Sequence, residues 1–233
     1  MGSGFDGLRS QLPVKKAFSF EQLSLILIDL DAANKELRNL SAEEIIRWAV
    51  SLGEPTIAST SFGPNSGAIL HLLSKVDTSV PLVWVDSGYN MRDTYVVADQ
   101  LIEDLGLDAR IYVPNVTAEH LNVKLGGIPT LEEPDLHEEF TLIVKLEPFN
   151  RALEELQPKV WISGIRQSDT DFRRGLDILS YDNRGILKVA PIFYWSDEQI
   201  EAYMQQHQLP SCRHYFDPTK VESGRECGLH TSA

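Results

Sequence analysis

The hydrophobic rhythm of the chain changes part way along. From residue 19 to residue 52 apolar side chains recur at three- and four-residue spacing, which predicts helix in two or three pieces. Ser41-Ala-Glu-Glu44 is a capping-box pattern opening the apolar run Ile45, Ile46, Trp48, Ala49 and Val50, which Gly53 stops. Beyond Pro55, short apolar blocks alternate with amphipathic ones. Residues 55–60, 81–86, 108–113 and 159–163 predict strands, and 67–75, 92–105 and 136–156 predict helices. Residues 117–136 fit a short helix followed by an acidic, Pro-containing loop. A hairpin is expected over 176–190 around Asn183-Arg184-Gly185, and Ser196-Asp-Glu-Gln199 caps a last helix ending near His207.

Apolar strands alternating with helices define an α/β fold: a mostly parallel, doubly wound sheet with helices on both faces. The expected organisation is an N-terminal helical segment (1–40), a nucleotide-binding α/β domain (41–209) and a flexible C-terminal tail (210–233). Ligands of such sheets bind beyond the carboxyl ends of the strands. Three loops fall there: Ser59–Ser66, Asp86–Asn90 and Gly164–Arg173. Ser, Gly and Asn are ordinary in any one such turn. Polar and cationic residues gathered in all three point to a nucleotide site.

The first loop, Ser59-Thr60-Ser61-Phe62-Gly63-Pro64-Asn65-Ser66, offers hydroxyls and backbone N–H groups ahead of a helix. Unpaired N–H groups and the helix dipole both favour an anion there. The loop lacks the Gly-Lys-Ser/Thr ending of a Walker A sequence. The third loop carries Arg166 and Arg173. Arginine forks grip oxyanions at two points, although pairing with Asp169 and Asp171 is the plainer alternative. Lys145 sits in an apolar helical stretch, where a lysine ordinarily snorkels to water.

Charge sharpens this picture. The formal net charge is −13, from 34 acidic and 21 basic side chains. That sign repels phosphate backbones and argues against nucleic-acid binding. A small anionic ligand then requires the scarce Arg and Lys to be concentrated in one pocket. No apolar run approaches the roughly 20 residues that span a bilayer, and residues 1–16 lack the apolar core of a signal peptide. A cytoplasmic location without membrane contact is expected.

Only two cysteines occur, Cys212 and Cys227, too few for a four-thiolate iron–sulfur cluster. Cys227 lies in Arg225-Glu-Cys-Gly-Leu-His230, where Arg225 and His230 offer cations to stabilise a thiolate. A thiolate attacks sulfur as well as carbon, and a second thiol can then regenerate it by exchange. A competing reading gathers His207, Cys212, His214, Cys227 and His230 as zinc ligands, at spacings unlike those of a common zinc finger.

Five segments, in this order, resemble the PAPS/APS reductase family (PAPS is 3′-phosphoadenylyl sulfate, APS adenylyl sulfate). They are Ser59-Thr-Ser-Phe-Gly63, Val85-Asp-Ser-Gly-Tyr89, Lys145-Leu-Glu-Pro-Phe-Asn-Arg-Ala-Leu153, Gly164-x-Arg166 followed by Arg173, and Glu226-Cys-Gly-Leu-His230. The last is the most specific, and the resemblance covers about residues 41–230. It implies a fold of the adenine-nucleotide α-hydrolase type with a modified pyrophosphate loop at 59–66. It further implies that Cys227 is the catalytic nucleophile, sulfonated by PAPS, and that thioredoxin or glutaredoxin then releases sulfite for sulfate assimilation. A homodimer is also implied. By position, Lys145, Arg166 and Arg173 face the phosphosulfate, Arg225 and His230 join them, and Ser59, Thr60, Ser61, Phe62, Gly63, Asp86, Ser87 and Gly88 bind the nucleotide.

Two departures stand out. Cluster-bearing, typically APS-specific members carry a Cys-Cys pair before the Lys-x-Glu-Pro motif and a later Cys-x-x-Cys. Here Phe140-Thr141 occupies the first position and the second pair is missing, so no cofactor is expected and the PAPS branch fits better. A clusterless APS reductase is the alternative. The family's Gly-Tyr-x-Ser-(Ile/Val)-Gly stretch is replaced by Arg213-His-Tyr-Phe-Asp-Pro-Thr-Lys220, which runs almost directly into Cys227. That shortening keeps a non-catalytic nucleotide- or zinc-binding paralogue in view. It also makes Cys212 a candidate resolving thiol, with a bystander role the preferred reading. An ATP-using adenylyltransferase relative would carry a Ser-Gly-Gly-x-Asp-Ser loop, which residues 61–66 do not.

Overall fold

The structure is a computed structural model, which describes residues 28–130, 132–212 and 214–220. Two helices lead in, α1 (Leu30–Leu37) and α2 (Ala42–Ser51). The capping box of α2 is formed as the sequence predicts, with Ser41 and Glu44 bonding each other's backbone N–H. The α/β unit follows as β1 (Thr56–Thr60), α3 (Ser66–Ser74), β2 (Leu82–Val85), α4 (Arg92–Leu105) and β3 (Ala109–Tyr112). Next come α5 (Ala118–Leu125), α6 (Pro134–Thr141), α7 (Glu147–Leu156) and β4 (Val160–Ser163). A hairpin of β5 (Leu179–Tyr181) and β6 (Leu187–Val189) precedes α8 (Asp197–Gln206).

The sheet order is β3-β2-β1-β4-β6-β5, parallel except for β5, which pairs antiparallel with β6. The chain winds outward from β1 through β2 to β3, then returns to the other side of β1 as β4. The order therefore reverses between β1 and β4. Their loops leave in opposite directions and open a crevice at the carboxyl ends.

Alternation along the strands divides the core. Ala58, Leu82, Trp84, Val160 and Ile162 pack on one face with α2, α3, α4 and α8. Ile57, Val83 and Trp161 point to the other face, where Phe149, Ala152 and Leu153 of α7 cover them. Trp161 is wholly buried, with its ring centroid 4.9 Å from that of Phe149.

The stretch expected as one helix over 136–156 is divided. Between α6 and α7, residues 142–146 form a π-turn in which the Glu147 N–H donates to Leu142 O. Pro148 supplies a reason: it has no N–H for the carbonyl four residues back, and its ring would crowd that carbonyl. The wider turn relieves the conflict and carries Lys145 on it. No described helix is long and apolar enough to cross a membrane.

Candidate active site

A cavity of about 230 Å³ lies in the crevice between β1 and β4. Its rim on the β1 side is Thr60, Ser61, Gly63, Pro64, Asn65 and Ser66. This loop is pinned from below. Phe62 turns back at φ +49° and is fully buried, its ring edge-on to Trp84 at 4.8 Å. The Phe62 N–H donates to Thr60 Oγ1 at 3.0 Å. With the aromatic ring held in the core, the neighbouring polar residues face the opening of α3. Asn65, its N-cap, makes no side-chain capping bond; the first-turn N–H groups of Ser66 and Ala68 donate to Gly63 O at 3.0 Å and Asn65 O at 3.3 Å, and Asn65 and Ser66 lie on the cavity rim.

Across the crevice, β4 ends in Ser163 and Gly164, followed by two short 3₁₀ turns, Gln167–Asp169 and Phe172–Gly175. A Cβ on Gly164 would lie 3.0 Å from Ile69 Cγ2, a tight contact with α3 that glycine avoids. Arg173 lines the cavity, is 4% exposed, and pairs through Nη1 with Asp169 Oδ2 at 2.6 Å. Arg166 bonds the other oxygen of Asp169 at 2.9 Å and Asp197 at 2.7 Å. The two arginines thus share one carboxylate, but only Arg173 belongs to the cavity wall. Asp171 pairs with Arg174 instead.

Lys145 also lines the cavity, and its surroundings overturn the snorkelling expectation. Its Nζ donates to Asp217 Oδ2 at 2.6 Å and to Thr219 Oγ1 at 3.2 Å. The side chains of Lys145 and Asp217 are 11% and 7% exposed, so this is an ion pair withdrawn from water. Burial alone would push the Asp217 carboxyl up. The Lys145 ammonium beside it, with hydrogen bonds from Lys145 and Thr219, outweighs burial and holds it below the usual carboxylate range.

Asp217 belongs to the segment after α8, and that segment is packed against the body. Ser211 Oγ donates to Pro64 O at 3.0 Å, and His214 pairs with Asp93 at 2.8 Å. Tyr215, Asp217 and Lys220 all line the cavity. None of the three was legible as a site residue in the sequence, because their roles depend on where this irregular strap comes to rest.

Of the residues picked from sequence, Ser59, Thr60, Ser61, Gly63, Lys145 and Arg173 line one cavity. Phe62 is a core residue, and Arg166 sits behind the wall. Asp86, Ser87 and Gly88 follow β2 at the same edge of the sheet but do not line the cavity. Asp86 Oδ1 accepts from the Gly88 N–H, Asn90 Nδ2 and the Tyr95 hydroxyl at 2.8–3.0 Å. That organises the turn, and burial together with this carboxylate pushes the Tyr95 phenol up to about 12. Arg225, Cys227 and His230 lie outside the described residues.

The other thiol, Cys212, is 1% exposed; its sulfur contacts Thr94 Oγ1 at 3.3 Å and donates to His214 O at 3.1 Å. Of the suggested zinc ligands, His207 stacks with His71 and Tyr203, and His214 is held by Asp93. Among the described residues no three His, Cys, Asp or Glu side chains gather as a metal-binding group.

A mostly parallel sheet with a cavity at its switch point, a helix N-terminus on one side and buried cations on the other, defines a fold of the adenine-nucleotide α-hydrolase type. Residues 55–218 match the model of the phosphoadenosine phosphosulfate reductase domain, and the chain belongs to that family. A phosphoadenosine 5′-phosphosulfate reductase of Vibrio vulnificus is 37% identical over 188 residues, covering 78% of this chain and 70% of that protein. One from Xanthomonas oryzae pv. oryzae is 35% identical over 231 residues, covering 89% of this chain and 95% of that protein. Among solved structures, the phosphoadenylyl-sulfate reductase of Candida auris in a phosphate complex superposes with a TM-score of 0.68 at 28% identity, covering 78% of this chain and 87% of that one. FMN adenylyltransferase of Candida glabrata, at 15% identity and a TM-score of 0.54, shares the fold.

Proposed function

We propose that the protein reduces 3′-phosphoadenylyl sulfate to sulfite in sulfate assimilation, with a thioredoxin or glutaredoxin as reductant and without a bound cofactor. In the first step the Cys227 thiolate attacks the sulfur of the sulfonate. A sulfur–sulfur bond forms, the sulfur–oxygen bond to the phosphate breaks, and adenosine 3′,5′-bisphosphate leaves. A thiolate of the reductant then attacks Cys227 Sγ and expels sulfite, leaving a mixed disulfide. The reductant's second thiol resolves it, returning the Cys227 thiolate and leaving the reductant as its own disulfide. The two electrons that take sulfur from sulfonate to sulfite come from those two thiols.

The observation that carries this reading is the strap from residue 214 to residue 220 lying over a cavity lined by hydroxyls, Lys145, Arg173 and Lys220. Lys220 lines the cavity at the end of the strap, and Cys227 follows by seven residues. Seven residues span at most about 25 Å, so a shortened tether that starts at the cavity is long enough to return to it. Lys145, Arg173 and Lys220 are the cations to meet the phosphosulfate, beside the N-terminal end of α3. Arg225 and His230 are assigned to the same task, as the groups that keep Cys227 a thiolate. The relatives named for phosphoadenosine phosphosulfate support the 3′-phosphorylated nucleotide over APS. Buried Cys212 has no part in the exchange.

The test is the intact mass of the reduced protein after mixing with either nucleotide in the absence of a thiol donor. One added SO₃ group on Cys227, discharged as sulfite by reduced thioredoxin, is the expected result, with the faster reaction for PAPS. Cys227→Ser is expected to abolish sulfite release while leaving binding of adenosine 3′,5′-bisphosphate intact. No adduct with either nucleotide, in folded and reduced protein, would overturn the reading.

A further inference from the structure

Ser163 is the last residue of β4, lines the cavity and is 1% exposed. Its Oγ makes no hydrogen bond among the described residues. A hydroxyl buried without a partner is costly, and native proteins rarely leave one without a use.

Its direction follows from the pleat. Trp161 lies two residues earlier on the same strand, so both side chains share a face. That is the face covered by α7, since Trp161 packs on Phe149. Ser163 is in register with Ser59 of β1, and Ser59 in turn with Val83 of β2. Val83, Ser59 and Ser163 therefore form one row across three neighbouring strands, about 10 Å long at the usual strand spacing. Val85 and Phe149 complete an apolar surround, and all five residues line the cavity.

The hydrogen-bonding state of the row is specific. Ser59 Oγ accepts from Trp161 Nε1 at 2.7 Å, which leaves its own proton to donate. Ser163 Oγ has one proton and two lone pairs uncommitted within the described chain. Two adjacent hydroxyls flanked by Val83, Val85 and Phe149 suit a planar, apolar-faced group with a donor and an acceptor on one edge. They do not suit an anion, which in this cavity has Lys145, Arg173 and Lys220.

We infer that Ser163 Oγ, with Ser59 Oγ beside it, binds the hydrogen-bonding edge of the substrate's purine base and so seats the nucleotide for the sulfur chemistry. Ser163 accepts from the exocyclic amine while Ser59 donates to a ring nitrogen. This assignment rests on the nucleotide-substrate reading given above. Ser163 is then a binding residue whose hydroxyl is without use until the base arrives.

Calorimetric titration of wild type and Ser163→Ala with adenosine 3′,5′-bisphosphate, its 2′-deoxy analogue and inorganic pyrophosphate tests this, alongside the unliganded melting temperature. Ser163→Ala is expected to bind both nucleotides about tenfold more weakly, the worth of one hydrogen bond. Pyrophosphate affinity is expected not to change. The unliganded variant is expected to melt no lower than wild type, because no partner is orphaned. Equal nucleotide affinity in variant and wild type would overturn the assignment of Ser163 alone. So would a loss seen with the ribonucleotide but absent for the 2′-deoxy analogue, which would move the contact to the ribose. A lowered melting temperature with weaker binding of all three probes would make Ser163 a structural residue and overturn it as well. Failure of wild type to bind either nucleotide would overturn the nucleotide reading, and this assignment with it.

Discussion

The two faces of the sheet are built to different ends. One is covered by α2, α3, α4 and α8, and its core runs unbroken from Leu37 to Met204. The other is covered at its centre by α7, through Phe149, Ala152 and Leu153. The thick face packs Ala58, Val160 and Ile162 of β1 and β4 into one large apolar cluster. The thin face ends, at the carboxyl edge, in Ser59 and Ser163, with Lys145 on a π-turn just before α7. A single row of residues separates packed core from cavity: Ile57 and Trp161 lie below it, Ser59 and Ser163 in it. Stability resides mainly on the first face and ligand chemistry on the second, so substitutions on the two sides should be separable by experiment.

The largest expected effect is on the thick face. Ile46 of α2 is fully buried there and does not line the cavity, and Ile46→Ala should cost about 2–5 kcal/mol. Urea unfolding would show it as a lower midpoint at unchanged slope, while turnover per folded molecule stays at the wild-type value. A loss of turnover beyond the loss of folded protein would break the comparison.

Next comes Asp217. Asp217→Asn leaves the Lys145 ammonium without its buried counter-charge and should cost about 3 kcal/mol. The cost should depend on pH. The folded-state carboxyl is held below its unfolded value, so its contribution is fully present above the unfolded pKa. It is lost as pH falls through the folded value. Wild type and variant should therefore converge in stability on acidification, and a gap that persists in strong acid would show that the pair is not its source. Nucleotide affinity should change too, because the strap carrying Tyr215 and Lys220 loses its tie to the cavity.

The smallest is Gly164→Ala, where the new Cβ meets Ile69 Cγ2 at 3.0 Å. Displacing α3 from the thick side should cost about 1–3 kcal/mol. It should also move the N-terminus of that helix, so both urea stability and anion affinity are read. Anion affinity that stays at the wild-type value would show that the faces are less coupled at the crevice than Gly164 implies.

Much of the fold was legible from local rules. The capping boxes of α2 and α8 form where Ser-x-x-Glu and Ser-x-x-Gln occur, and the hairpin turns at Asp182–Gly185. The six-stranded order and the switch point match an apolar β-α alternation. The break in the 136–156 helix was missed, although Pro148 was in plain view, because a proline ordinarily reads as a helix start or stop. Here it sits near the start of α7 and a π-turn absorbs the strain ahead of it.

The candidate site was legible in part. Ser59, Thr60, Ser61 and Gly63 were found because hydroxyl-rich loops ahead of helices are local signals, and Lys145 and Arg173 because a family resemblance fixed them. Asp217, Lys220 and Ser163 carry no such signal. An aspartate three residues before a lysine in an irregular segment looks like any solvated turn, and Ser163 looks like the end of any strand.

What the sequence determined by itself was the order of elements, the parallel sheet, and the loops that had to meet at its carboxyl edge. These follow from period, capping and turn chemistry, which act over a few residues. Only the tertiary structure decided which polar groups the cavity takes. Arg166 and Arg173 lie in one loop, yet one is drawn behind the wall by Asp197 and the other lines it. Lys145 and Asp217 are 72 residues apart and form a buried pair. Ionic pairing and burial depend on what long-range packing brings within about 4 Å, and no local pattern encodes that distance.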